Sequence, residues 1–244
     1  RQGTASLALT AATSLYTDST ELCADSIEAH PYLPYVLAES TYQVDQDKND
    51  ASSSPTYSRR GRCRLRRVHP GQNRVYWYVG CVFLHSDVLD TWDGAAILDT
   101  KWCVLFTQLT QVPQLVYSWT VGYGVLGVAD ATGYLHLFQL REERDLHLSP
   151  WCKWKMNEET ALCLSLDWSD RTSPTPASDT SLVVSQSNGK LATVPSLECG
   201  SAGNRPSGLE TWIAHDYEAW IAAWDCYSQG SILWSGCLLY TSPS

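Results

Sequence analysis

A chain of 244 residues with 44% apolar side chains, 11 Trp and 13 Tyr can bury a sizeable core in one large domain or two small ones. Its formal net charge of −9 and its charged fraction of 18% exclude a general polyanion binder, because the overall field repels phosphate at neutral pH. The longest apolar run, "VYWYVGCVFL", has ten residues, about half of what a membrane helix needs, and nothing reads as a signal peptide.

In chain order, the first strand-like segment is "ELCADSIEAHP", followed by "YVLAESTYQV" and, after an interruption, by "RVYWYVGCVFL". The interruption, residues 45–72, is polar and Ser-rich and then carries Arg59, Arg60, Arg62, Arg64, Arg66 and Arg67. It is expected to be a solvated, poorly ordered insertion within the first repeat rather than a nucleic-acid patch. Asp87, Asp90 and Asp93 in "SDVLDTWDG" recur at spacing three, which does not match the alternate-residue ligands of a calcium loop, and a solvated turn is expected there.

Three later segments, "AILDTKWC", "LCLSLDWS" and "EAWIAAWD", align on Trp102, Trp168 and Trp224, with Leu98, Leu164 and Trp220 four residues earlier. Two strand-like runs around Asp130-Ala131-Thr132-Gly133 follow the first, and two around Asn188-Gly189 follow the second. After the third, "SILWSG" begins the same hairpin. Four repeats of strand, hairpin and connection, without an intervening helical pattern, predict an all-β fold: about three and a half blades of a WD40-type β-propeller over 17–236. Inner strands are expected near 96–103, 161–168 and 219–225. In the last, Trp220, Ala222 and Trp224 point one way and Ile221 and Ala223 the other, so neighbouring blades should cover both faces.

The nine Cys include no C-x-x-C pair and sit mostly in apolar runs, so buried reduced thiols in a cytoplasmic protein are expected. The only Met is Met156, and residues 237–244, ending "LLYTSPS", resemble translated cloning adapter, so the chain reads as a fragment with unpaired strand edges.

Together, "ELCADSIEAHP", "AILDTKWC", "GVADATGYLHLFQL", "CLSLDWS" and above all "AHDYEAWIAAW" resemble the N-terminal half of the WD-repeat diphthine methyl ester hydrolases. The resemblance implies removal of a methyl ester from diphthine on elongation factor 2, the protein partner, which frees a carboxylate for the final amidation to diphthamide. It implies no cofactor, and neither a nucleic-acid nor a membrane partner. A non-enzymatic WD-repeat scaffold is the alternative, since a fold does not fix a function.

Ester hydrolysis needs a nucleophile or activated water, a base, and donors for the oxyanion. The chain has no G-x-S-x-G elbow and no H-E-x-x-H, and no metal site is expected. Ser187-Asn188-Gly189-Lys190 matches S-x-x-K in letters but reads as a hairpin turn. The catalytic candidates are His215, as base, and Glu218, beside Asp216; a structural hydrogen-bond network accounts for the same His. Trp212 is the candidate for binding the trimethylammonium group of diphthine on an aromatic face. Asp130 is expected to fix its hairpin turn.

Overall fold

Runs rich in Val, Leu, Trp and Thr, bounded by Gly, Asp and Asn, favour short extended segments. The computed structural model describes residues 17–46, 57–70, 83–106, 124–171, 175–197, 205–228 and 230–237. It holds seventeen strands and one 3₁₀ turn at Ala177–Asp179, with no α-helix among the described residues.

The strands form four antiparallel sheets in chain order. The first contains β1 (Ala24–Ala29), β2 (Val36–Thr41), β3 (Gln43–Gln46), β4 (Tyr57–Pro70) and β5 (Phe83–Ala95), with β2 between β1 and β4, and with β3 and β5 both paired to β4. The second begins at β6 (Ile97–Cys103) and runs through β8 (Val125–Asp130) and β9 (Tyr134–Glu142) to β10 (Leu146–Lys155). Between β6 and β8 comes β7 (Leu105–Phe106), which pairs in parallel with β12 (Thr175–Pro176). The third sheet runs from β11 (Cys163–Trp168) through β13 (Leu182–Gln186) and β14 (Lys190–Val194) to β15 (Glu210–Ile213). The fourth has two strands, β16 (Ala219–Trp224) and β17 (Leu233–Cys237).

The first strand of each sheet packs against the first strand of the next, so β1, β6, β11 and β16 stand side by side in that order. Side chains between the sheets make three layers of core. Val36, Leu65, Ile97, Leu126 and Phe138 fill the first gap, Leu135, Leu137, Trp168 and Val184 the second, and Val183, Leu191, Ala219 and Ala222 the third. Trp102 and Trp168 are each 1% exposed, and burying one such large side chain contributes about 1.5–3 kcal/mol. This is the expected blade order, and the three expected inner strands fall at β6, β11 and β16.

Four expectations need correction. The Arg-rich run is not a solvated loop over the described part of the insertion: residues 57–70 form β4, which is central in the first sheet. Alternation decides this, because Cys63 and Leu65 enter the core while Arg64 and Arg66 take the other face. There Arg64 lies 3.0 Å from Glu21, and Arg66 lies 2.6 Å from both Asp18 and Glu39, so buried guanidinium groups are neutralised in place. Asp87, Asp90 and Asp93 likewise belong to β5, not to a turn; Asp90 accepts the Leu148 amide at 2.7 Å and Asp93 pairs with Arg62 at 2.6 Å.

The third correction concerns β16. Trp220 and Ile221, at the bulge in the β16–β17 ladder, are 49% and 59% exposed; the third sheet packs on β16 from one side and no described strand packs from the other. The fourth concerns the thiols. Cys63, Cys103 and Cys163 are free and buried as expected, and burial drives all three thiols up, the first two to about 12. Cys152, however, is disulfide-bonded, and spacing along a chain does not tell which thiols a fold brings together. The expected strand over residues 74–82 and the tail beyond residue 237 lie outside the described residues.

Candidate functional site: the inner strands and the loop before β16

The inner strands β6 and β11 each turn one face to the sheet before them and the other to the sheet after. Trp102 and Trp168 face backwards, and their indoles donate to the Glu28 and Lys101 carbonyls at 3.3 and 3.0 Å. Three residues before each Trp, a side-chain oxygen faces forwards. Asp99 accepts the Leu166 amide at 3.0 Å, and Ser165 accepts the Ala222 amide at 2.9 Å. Ser26 holds the same place in β1 and touches the Thr100 hydroxyl at 2.9 Å. Asp167, next to its Trp, accepts the Trp224 amide at 2.9 Å. Repeat-equivalent positions therefore stitch all four inner strands together.

This ladder gathers charge. Asp25, Glu28, Asp99 and Asp167 share the inner strands with Lys101, and Arg171 reaches in from beyond β11. Lys101 lies 2.8 Å from Asp99, and Arg171 lies 3.4 Å from Asp167 and 3.6 Å from Glu28. Four carboxylates and two cations leave the group net acidic. Partial burial, then the Asp99 charge, lifts the Asp25 carboxyl to about 6. Burial also raises Glu28 and Asp167, with Lys101 and Arg171 offsetting part of the effect in each. Asp25, lifted to about 6, is the carboxyl of this cluster that can exchange protons near neutral pH.

The loop before β16 is positioned by a glycine. Gly189 closes the β13–β14 turn at φ +77°, and its carbonyl accepts the Ala214 and His215 amides at 3.0 Å each. A Cβ at this position would meet the His215 carbonyl oxygen at 2.2 Å, so only glycine lets the loop lie this close. His215 is thereby aimed at β17, where its Nε2 lies 2.9 Å from the Ser235 hydroxyl. No hydrogen bond joins His215 to Asp216 or Glu218 among the described residues, and both carboxylates face solvent. Trp212 is 40% exposed on β15, and Tyr217 and Trp220 are exposed nearby in sequence.

The fold places the other candidates in structural roles. Asp130 accepts the Thr132 and Tyr134 amides at 2.8 and 2.9 Å, the Thr132 hydroxyl at 2.8 Å, and contacts His136 Nε2 at 2.8 Å. Burial pushes its carboxyl up, but these hydrogen bonds, that of His136 foremost, outweigh it and hold the group below the usual carboxylate range. Ser187 accepts the Leu162 amide and Lys190 pairs with Glu159 at 2.6 Å, so this stretch is the expected turn and not a Ser-Lys pair. Sequence reasoning missed Ser235 and the inner-strand acids. Asp99 carries a signal, because it shares one repeat position with Ser165; Ser235 does not.

Sheets ordered from an inner strand outwards, with those inner strands packed face to face, are the blades of a WD40-type β-propeller. Sqt1 of Chaetomium thermophilum, solved bound to the N-terminus of ribosomal protein L10, has the same fold, with a TM-score of 0.54 over 90% of this chain and 44% of that one, at 13% identity. No protein-family model matches the chain. Human diphthine methyltransferase is 31% identical over 226 residues, covering 91% of this chain and 46% of the human protein. The mouse protein of the same name is 31% identical over 237 residues, covering 90% of the chain and 43% of its own length. Over nine tenths of its residues the chain is thus similar to proteins named diphthine methyltransferase, and it spans about half the length of these relatives.

Proposed function

We propose that this chain forms part of a propeller that hydrolyses the methyl ester of diphthine on elongation factor 2, in the cytoplasm, during diphthamide biosynthesis. The observation that carries the reading is the match to proteins named diphthine methyltransferase along almost the whole chain. Two features of the site fit the chemistry. The net-acidic inner-strand group and the exposed Trp212, Tyr217 and Trp220 suit a substrate bearing a trimethylammonium cation. Trp102 and Trp168 are too deeply buried to serve it.

The His215–Ser235 pair, 2.9 Å apart, supplies a base and a hydroxyl. His215 takes the Ser235 proton as Oγ bonds to the ester carbonyl carbon. The methoxy oxygen leaves with that proton as methanol, and water then cleaves the acyl group from Ser235 to release the carboxylate. Glu218 makes no hydrogen bond to this pair among the described residues and is given no proton-transfer role; it remains a candidate for attracting the cation.

Methanol release from methylated diphthine on elongation factor 2, measured with the full-length protein, tests the reading. Removal of a positioned acid–base group lowers turnover about 10²- to 10⁴-fold, so His215→Ala and Ser235→Ala should each do so in folded protein. If both melt earlier yet keep turnover per folded molecule within a few-fold, the pair is only a strut between the β16 loop and β17. The second reading, a protein-binding scaffold, is favoured by the uncovered apolar face of β16 and by the bound peptide in the Sqt1 structure. Absence of methanol release together with retained binding of elongation factor 2 would select it.

A further inference from the structure

A group of titratable side chains lies away from the inner strands, at one end of the β4–β5 ladder. The register of these strands pairs His69 directly with His85, and Arg67 with Asp87. Directly paired residues share a face, and so do residues two apart on one strand, so His69, His85 and Asp87 project together. The two imidazoles stack, with centroids 4.4 Å apart and planes at 12°. Asp87 Oδ2 lies 2.8 Å from His69 Nε2, and its Oδ1 lies 4.0 Å from His85 Nε2. One ligand atom from each residue falls within 4.8 Å of the other two.

We propose that His69, His85 and Asp87 form a binding site for a divalent transition-metal ion of the Zn²⁺ class. Two neutral imidazoles and a carboxylate are a borderline nitrogen and oxygen donor set, which suits Zn²⁺, Ni²⁺ and Cu²⁺ better than Mg²⁺ or Ca²⁺. Metal–ligand bonds of about 2.0–2.2 Å place tetrahedral ligand atoms roughly 3.3 Å apart. The present separations straddle that value, and small χ rotations of exposed side chains bring all three onto one ion. A cation also resolves the local arrangement, because it replaces the single proton shared by His69 and Asp87 and engages His85, which the hydrogen bond leaves out.

The neighbouring charges permit it. Arg67, on the same face, is engaged by Asp145 at 2.7 Å, and Arg66 points to the opposite side towards Glu39 and Asp18. His85 and Asp87 are exposed, so coordination positions beyond the three protein ligands stay open to water. Bound there, the ion clips the paired ends of β4 and β5, and it binds folded chain in preference to unfolded chain.

Zn²⁺ titration of the 244-residue chain by calorimetry, paired with thermal melting, tests the site. The chain should take one Zn²⁺ and melt higher with it. His85→Ala and Asp87→Asn, both at exposed positions, should weaken Zn²⁺ at least about tenfold and lose the thermal gain while their metal-free melting stays within a few degrees. A Cys23→Ser, Cys226→Ser chain should bind as the parent does, since those exposed thiols are not ligands. With Co²⁺ as substitute, visible bands should appear without thiolate charge-transfer absorption. Failure of the parent to bind, unchanged binding in both site variants, or loss of binding in the Cys variant would each overturn the proposal.

Discussion

In β11 every residue from Cys163 to Trp168 is buried, whereas in β16 only Ala219 and Ala222 are. The two strands carry the same aligned Trp, β16 is the more apolar of the two, and both lie first in their sheets. What separates them is the number of neighbours. The β6 sheet lies on one side of β11 and β16 on the other, while among the described residues β16 has a partner sheet on one side alone. The polar ladder thins in the same direction: Trp168 donates its indole to Lys101, but the indole nitrogen of the half-buried Trp224, itself out of contact with solvent, has no acceptor among the described residues. An inner-strand sequence thus specifies a strand with two sticky faces, and the adjoining blades decide whether those faces are buried.

Trp substitutions should show the contrast most strongly. Trp168→Ala is expected to cost about 3–5 kcal/mol in urea unfolding, as large core truncations do. Trp220→Ala, which removes a half-exposed ring, should cost about 1 kcal/mol or less. Equal losses would mean that β16 is as enclosed as β11.

The hydrogen bonds between the third and fourth sheets come next. Ser165→Ala removes the acceptor of the Ala222 amide and leaves that buried N–H unpaired, at a cost of about 1–3 kcal/mol. It also removes the 2.8 Å contact with the Ser185 hydroxyl. The loss should concentrate in β16 and β17, visible as faster amide exchange there than in β8 or β9.

A charge on the uncovered face should leave stability nearly untouched. Ile221→Glu is expected to change unfolding by no more than about 0.5 kcal/mol and to reduce concentration-dependent light scattering, since it breaks an exposed apolar patch.

The smallest effect is in pH dependence. Asp25 has a folded value of about 6, above its unfolded value near 3.9, so the folded state holds the proton more tightly. Its contribution therefore makes the fold gain stability as pH falls through that window and lose it as pH rises. Asp25→Asn should flatten the slope of stability between about pH 4 and 6, and an unaltered slope would show that Asp25 is fully solvated.

The blade repeat was legible because it rests on local chemistry: a Trp at a fixed place, and glycines where the turns need positive φ, at Gly133 and Gly189. The role of Asp130 was legible for the same reason, since its amide partners lie within four residues. Strand β4 was hidden by composition. Its arginines alternate with Cys63 and Leu65, but alternation of charge with apolar residues reads as a loop until Glu21, Glu39 and Asp18 are known to neutralise it. Partners far apart in sequence could not be found at all. His69 meets His85 only through strand register, and His215 meets Ser235 only because its loop packs on the Gly189 turn, and no spacing rule states either.

Residue-resolved amide exchange under native conditions tests the comparison most directly. The account predicts that Cys163–Trp168 exchange only with global unfolding, while Ala219–Trp224 open locally at a free energy lower by roughly 2 kcal/mol or more. Identical protection in β11 and β16 would contradict it, because the fourth sheet would then be covered on both faces like the third.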